Sequence, residues 1–236
     1  MISLKNVTVV YPDKTKAIDA ISFSMAKNDN IALIGANGAG KTSLFLAIMG
    51  ILDLTNGVIE VDGLLLNTKT VHEIRKKAGL IFQNPDDQLF MPLIYDDIAF
   101  GCRNFGMNEE EINVHVTETL EKLHIGHLKN RSSLRLSGGE KRIAAIATVL
   151  AMNPSVLLFD EPSAFLDPKA RRSLIETVKK MPQPKIIASH DLTLAAEICN
   201  RVVLLKNGCI AADGTIDILY DKTIMRENDL EEIRKV

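Results

Sequence analysis

The first sixty residues carry short apolar runs broken by polar and turn residues, and they predict strands over 3–11, 18–25 and 30–34. The third run ends in a glycine-rich turn and passes into a helix over 41–49. Asn56-Gly57 is a turn signal, and 58–61 predicts another strand. After the apolar stretch Leu80-Ile-Phe-Gln83 the pattern changes. Residues 94–150 carry helical spacing, clearest over 109–123, and Gly138-Gly139 opens a further helix. Strands return over 156–159, 185–189 and 202–205, with helices between them, and Asn207-Gly208 turns a hairpin. That order predicts an α/β fold whose core is interrupted by a helical insertion at about 84–150.

Composition narrows the class. The chain has 236 residues, 46% of them hydrophobic and 25% charged, which excludes a disordered or collagen-like polymer. With 28 basic against 30 acidic side chains the net charge is −2, so no general nucleic-acid binding is expected. The longest apolar stretch, 143–152, is about half of what spans a bilayer. Lys5 falls where a signal peptide would need its apolar core, which predicts no export. Cys102, Cys199 and Cys209 show no CxxC spacing and point to reduced thiols in a cytosolic compartment. His124 and His127 share a helix-end region, but no third ligand accompanies them, and with His72 and His115 they are expected to be solvated.

Candidate chemistry begins with Gly35-Ala36-Asn37-Gly38-Ala39-Gly40-Lys41-Thr42, which satisfies G-x-x-x-x-G-K-[ST] between an apolar strand and a helix. Glycines let backbone N–H groups curl around phosphate oxygens, and the helix opening at Gly40 or Lys41 adds its positive end. Lys41 is suited to the β and γ phosphates, and the Thr42 hydroxyl to Mg²⁺; Ser43 completes the candidate cradle. A second signal is Ser155-Val-Leu-Leu-Phe-Asp160-Glu161, an apolar strand ending in two acids. Side chains alternate along a strand, so the two carboxylates should point apart and have distinct jobs. Asp160 would hold Mg²⁺ through water, and Glu161 would face the γ-phosphate and polarise the attacking water. Alone, an acidic pair after a strand is more often a helix cap; beside a phosphate loop it is a catalytic candidate.

Four further segments fall into an order that resembles the ATP-binding cassette (ABC) ATPases. Leu136-Ser137-Gly138-Gly139-Glu140 looks like the family's signature, Gln83 like its Q-loop glutamine, Ser163-Ala-Phe-Leu-Asp167 like its D-loop, and His190 like its switch histidine. Tyr11 sits where the family places an aromatic that stacks on adenine. Each of these residues alone also fits a bland structural role; their order relative to Lys41 and Asp160 carries the inference. The resemblance runs from about residue 2 to 214. It implies one cassette: a RecA-like P-loop NTPase core with an antiparallel β region over 1–83 and 151–214, a helical signature subdomain over 84–150, and a carboxyl-terminal helical tail over 215–236. It also implies ATP and Mg²⁺ as ligands, with Thr42, Gln83 and Asp160 at the metal and Lys41, Glu161 and His190 in hydrolysis. A second cassette would pack head to tail, so that Ser137, Gly138, Gly139 and Asp167 close over the partner's ATP. Glu140 stands in place of the commoner Gln, and Phe165 in place of a small residue.

The wording of Asn84-Pro-Asp-Asp-Gln-Leu-Phe90, of Ala99-Phe-Gly101 and of the signature helix resembles one branch, the ATPase subunits of energy-coupling factor and cobalt/nickel importers. That implies a peripheral subunit on the cytoplasmic face of the membrane, attached to integral membrane subunits. The other class in the family, soluble ATPases of DNA repair or ribosomes, usually carries a long coiled coil or two cassettes. Here about 95 residues without heptads separate Thr42 from Ser137. Of the consecutive apolar residues Leu89, Phe90 and Met91, Leu89 is expected in the core. At least one of the other two is expected to line a surface groove that receives the membrane subunit.

Overall fold

The computed structural model describes residues 1–231. Ten strands and eight helices follow in the order β1 (Ile2–Val10), β2 (Lys16–Met25), β3 (Asn30–Ile34), α1 (Lys41–Ile48), β4 (Asn56–Val61), β5 (Leu64–Leu65), α2 (Val71–Lys77), β6 (Ala78–Ile81), α3 (Ile94–Asn104), α4 (Glu109–Lys122), α5 (Gly138–Leu150), β7 (Val156–Asp160), α6 (Pro168–Lys179), β8 (Lys185–Ala188), α7 (Leu192–Ile198), β9 (Arg201–Lys206), β10 (Cys209–Thr215) and α8 (Lys222–Glu227). They build two sheets. One is antiparallel, in the order β2-β1-β4-β5; the other has the order β10-β9-β3-β8-β7-β6 and is parallel except for β10 at its edge.

The continuous apolar runs are explained by burial on both faces of the larger sheet. Val156 and Leu158 of β7 point into a core shared with the antiparallel sheet and α1, while Leu157 and Phe159 point into a second core built with α6 and α7. Ile31 and Leu33 of β3 divide from Ala32 and Ile34 in the same way. Inserted between β6 and β7 is a third core, where Ile94, Ile98, Ala99 and Cys102 of α3 meet Ile112, Val116 and Leu120 of α4 and the alanines of α5. Each of these helices turns one apolar stripe inward, which is why helical spacing was legible there. Leu89 joins this core, as the sequence led us to expect.

One turn signal misled. Asn56-Gly57 does not join two strands; both residues begin β4, Asn56 opposite Thr8, where the β1–β4 register shifts. Gly57 has φ +89°, and a Cβ there would lie 2.3 Å from the Asn6 carbonyl oxygen. The glycine serves a bulge and a close backbone approach rather than a hairpin. Asn207-Gly208 does turn the β9–β10 hairpin. The expected tail over 215–236 holds a 3₁₀ turn, Ile216–Tyr220, and α8; its last five positions lie outside the described residues.

Candidate active site

The end of β3 aims the chain into the loop 35–40, and α1 begins at its far side. Gly40 caps α1 without a side-chain hydrogen bond and with φ +104°; a Cβ there would lie 2.5 Å from the Ala17 carbonyl oxygen. Only glycine fits this backbone, and the first N–H groups of α1 face outward as an anion site. Lys41 is buried and folded back: its Nζ donates to the carbonyls of Gly35 (2.7 Å) and Ala36 (3.2 Å), and lies 3.7 Å from Glu161 Oε1. The loop carbonyls thus hold the ammonium in the site. Ala39 donates its N–H to the Ala36 carbonyl and tightens the same turn.

Asp160 ends β7 next to this loop. Its Oδ2 accepts a 2.8 Å hydrogen bond from Thr42 Oγ1, while its Oδ1 is buried with no partner. The residue is 4% exposed, and burial raises its carboxyl above the usual carboxylate range, against the Thr42 hydrogen bond and with repulsion from Glu161 adding to the rise. A buried carboxylate with an idle oxygen, beside a hydroxyl, is the donor set of a hard divalent cation. The chemistry of these residues therefore fits Mg²⁺.

Glu161 corrects one expectation. The strand stops at Asp160, and Glu161 adopts a left-handed backbone, φ +44°. Its direction is set by this turn, locked by a hydrogen bond from its N–H to the Ala188 carbonyl (2.8 Å), rather than by strand alternation. Oε2 accepts from the His190 backbone N–H at 3.2 Å and lies 2.8 Å from His190 Nδ1. The two acids do have separate surroundings: Thr42 for Asp160, Lys41 and His190 for Glu161. The carboxylate is buried, whereas the His190 side chain is 68% exposed and covers its outer side.

A cavity of about 440 Å³ brings together Tyr11, Asn37, Gly38, Gly40, Lys41, Thr42, Ser43, Gln83, Glu161 and His190. Tyr11 Oη lies 3.0 Å from Ser43 Oγ. Thr15 of the β1–β2 connection, with Lys16 and Ala17 that open β2, completes the wall, and the sequence reading missed all three. The lysine-bearing turn after Tyr11, Pro-Asp-Lys-Thr-Lys16, is the signal that could have found them. A larger cavity of about 740 Å³ lies between the α4–α5 region and α6, but none of the candidate residues line it.

The signature residues are elsewhere. Ser137, Gly138, Gly139 and Asp167 do not line the cavity. Ser137 caps α5 in a capping box with Glu140: its Oγ accepts from the Glu140 N–H (3.3 Å) and donates to Glu140 Oε2 (2.8 Å), which also accepts the Ser137 N–H (2.9 Å). These bonds, the backbone one foremost, hold the Glu140 carboxyl below its usual range. Asp167 caps α6 by accepting from Lys169 and Ala170 N–H groups. Phe165, two residues before it, is 90% exposed with φ +63°.

Comparison with known proteins agrees with this geometry. Residues 18–164 match the family described as ABC transporter. The chain is 37% identical to the energy-coupling factor transporter ATP-binding protein EcfA of Carboxydothermus hydrogenoformans, covering 98% of this chain and 86% of that protein. It is 39% identical to EcfA of Methanothermobacter thermautotrophicus, covering 98% and 76%. Among solved structures, cbiO1 of Clostridium perfringens, part of the ABC transporter complex cbiONQ, superposes with TM-score 0.84 at 32% identity, covering 96% of this chain and 93% of that one. A phosphate loop, a hydrogen bond from Thr42 of that loop to buried Asp160, and a Glu–His pair at the same cavity, on this fold and with these relatives, make the chain a member of the ABC transporter family: an ATP-hydrolysing, ATP-binding subunit of a transporter.

Proposed function

We propose that this ATPase powers an importer of the energy-coupling factor type, which takes up transition-metal ions or vitamins. It would sit on the cytoplasmic face of the membrane as a single cassette, with the core over 1–83 and 151–214, the helical subdomain over 84–150 and the tail over 215–236. The EcfA relatives and the cbiO1 neighbour support the branch. No helix among the described residues is long and apolar enough to cross a membrane, so a separate membrane subunit would provide the path. Two cassettes would pair head to tail, with Ser137, Gly138, Gly139 and Asp167 of each facing the ATP held by the other.

In hydrolysis, the loop from Gly35 to Gly40, with the α1 amides, Lys41 and Ser43, cradles the phosphates, and Tyr11 stacks on adenine. Thr42 and Gln83, with Asp160 through water, would hold Mg²⁺, which would neutralise charge developing on the β and γ phosphates. Glu161 accepts a proton from the attacking water, and His190 keeps that carboxylate oriented.

One observation carries the reading of a subunit docked on a membrane partner. Phe90 is 60% exposed, stacked edge to face on the exposed Phe100 with ring centroids 4.9 Å apart. Buried Asp97 fixes this corner, since its Oδ1 accepts the N–H groups of both Phe90 and Met91 at 2.9 Å. A rigidly held aromatic pair on the surface of the helical subdomain suits a helix-in-groove contact. Phe90→Asp is expected to leave basal ATPase and melting temperature close to wild type while abolishing pull-down of the membrane subunit and transport; Met91→Asp should weaken both. Retained pull-down with Phe90→Asp removes this corner from the docking surface. Identification of the copurifying membrane subunit then decides the cargo class.

A further inference from the structure

The cavity of about 740 Å³ between the α4–α5 region and α6 is larger than the nucleotide cavity, and no step of hydrolysis uses it. Three helix ends wall it. Lys122 and Leu123 close α4, Leu150 and Asn153 close α5, and Thr177, Lys180 and Gln183 close α6. Asn153 precedes β7 and Gln183 precedes β8, whereas Glu161 and His190 follow those same strands. The two cavities therefore lie at opposite ends of β7 and β8. Between those ends run α5, capped by Ser137, and α6, capped by Asp167.

The lining selects a chemical class. The volume falls within the range of about 300–1,000 Å³ found for small-molecule sites. Leu123, Ile143 and Leu150 are half-buried, and Leu123 and Ile143 pack where the second and third cores meet. Apolar surface left wet in a concavity favours an apolar occupant. The charges are unevenly matched. Glu176 Oε1 lies 3.4 Å from Arg172 Nε, and Lys122 Nζ lies 3.4 Å from Glu118 Oε2. Among the described residues, Lys180 is the charged side chain of the lining that no carboxylate answers. A cation at the mouth of an apolar pocket suits one negative charge. Dense charge is excluded, because the ends gathered here are helix C-termini, which repel polyphosphate. Gln183 Oε1 is buried without a partner. Turning that amide toward the cavity to accept an N–H or O–H therefore breaks no hydrogen bond of this oxygen.

We propose that this cavity is an effector site for a small organic anion, with one acidic group against Lys180, an apolar or aromatic body on Leu123, Ile143 and Leu150, and a donor for Gln183. Such an occupant touches α4 and α5 on one side and α6 on the other. It braces the far ends of the two helices capped by Ser137 and Asp167, holds one spacing of those caps and slows turnover. Binding is independent of the head-to-tail reading; the effect on turnover rests on it.

The probe is anilinonaphthalenesulfonate, which carries an apolar body, one anionic group and an N–H. Fluorescence titration of the full-length chain gives affinity and stoichiometry, repeated with saturating Mg–ATP in a Glu161→Gln background, and a melting curve checks folding. We expect one molecule per chain with a Kd on the order of 10 µM, not displaced by ATP. Lys180→Glu should weaken binding about fivefold and Gln183→Leu about threefold. Ser173→Trp, which fills the cavity from an exposed position of α6, should weaken it at least tenfold. Phe90→Asp removes an exposed aromatic outside the lining and should leave affinity within twofold. Saturating probe should lower kcat about fivefold with KM unchanged, and the effect should be lost in Ser173→Trp, each variant being compared with its own turnover without probe. Displacement by ATP overturns the site, as do affinities within twofold of wild type for both Lys180→Glu and Ser173→Trp. An unchanged kcat at saturating probe overturns the bracing. Failure of Glu161→Gln to dimerise with ATP would instead overturn the head-to-tail reading, and the affinities alone then decide the site.

Discussion

Glu161→Gln is expected to lower ATP turnover by about 10²–10⁴-fold while ATP affinity stays within a few-fold of wild type. The substitution is isosteric, so the His190 N–H keeps an acceptor, the turn closed by the Glu161 N–H and the Ala188 carbonyl persists, and the phosphate loop is untouched. What goes is the carboxylate proposed to take the proton from water, along with its ion pair to Lys41 at 3.7 Å, which would compete with phosphate for that ammonium. Affinity should thus hold or rise. In the head-to-tail reading, ATP bound between two cassettes is not converted to separating charges, and the variant accumulates as an ATP-bound dimer. Single-turnover phosphate release, nucleotide binding and size-exclusion chromatography with ATP check the three consequences. Turnover at the wild-type rate would show that Glu161 is not the base.

Asp160→Asn should act in opposite directions on stability and activity. The native state holds this carboxylate almost fully buried, with one oxygen idle, and burial raises its proton affinity. A folded-state value above the unfolded one means that ionisation weakens the fold. Stability is full below the unfolded value and is lost as pH rises through the folded one. Asparagine keeps an acceptor for Thr42 Oγ1 and removes the charge. At neutral pH the nucleotide-free variant should therefore melt a few degrees higher, on the order of 1 kcal/mol, with the gain shrinking as pH falls into the acid range. Mg²⁺-dependent hydrolysis should fall by about two orders of magnitude or more, and the added melting shift that Mg²⁺ confers on the ATP complex should vanish. A variant that melts lower than wild type at neutral pH would refute the account of an uncompensated buried charge.

Much of the site was legible in the chain because its pieces are local. The phosphate loop is one contiguous stretch whose glycines answer to backbone geometry, and Gly40 bears this out with a φ that other residues resist. Asp160 and Glu161 announce themselves by ending a run of buried residues. The wall supplied by Thr15, Lys16 and Ala17 left only the lysine-bearing turn after Tyr11 as a sign, and that turn does not say which distant loop it will face. Glu161 shows the limit of periodicity: alternation holds only while the strand lasts, and the chain leaves the strand one residue too soon.

Hydrophobic spacing by itself determined the alternation of strands and helices, the helical insertion and the burial of Leu89, since each follows from which side of a single element must leave water. The phosphate loop and the acidic strand end were likewise fixed by residue type and spacing. Tertiary structure alone decided what Asn56-Gly57 does, a bulge against Asn6 rather than a turn, because the deciding neighbour is fifty residues away. It also placed Ser137 outside the cavity that holds Lys41, paired Glu161 with His190, and hung the Gln83 backbone on Arg142 of a helix some sixty residues later. Contacts between segments so far apart in the chain depend on how sheets and helices stack, and no local pattern of residues encodes that stacking.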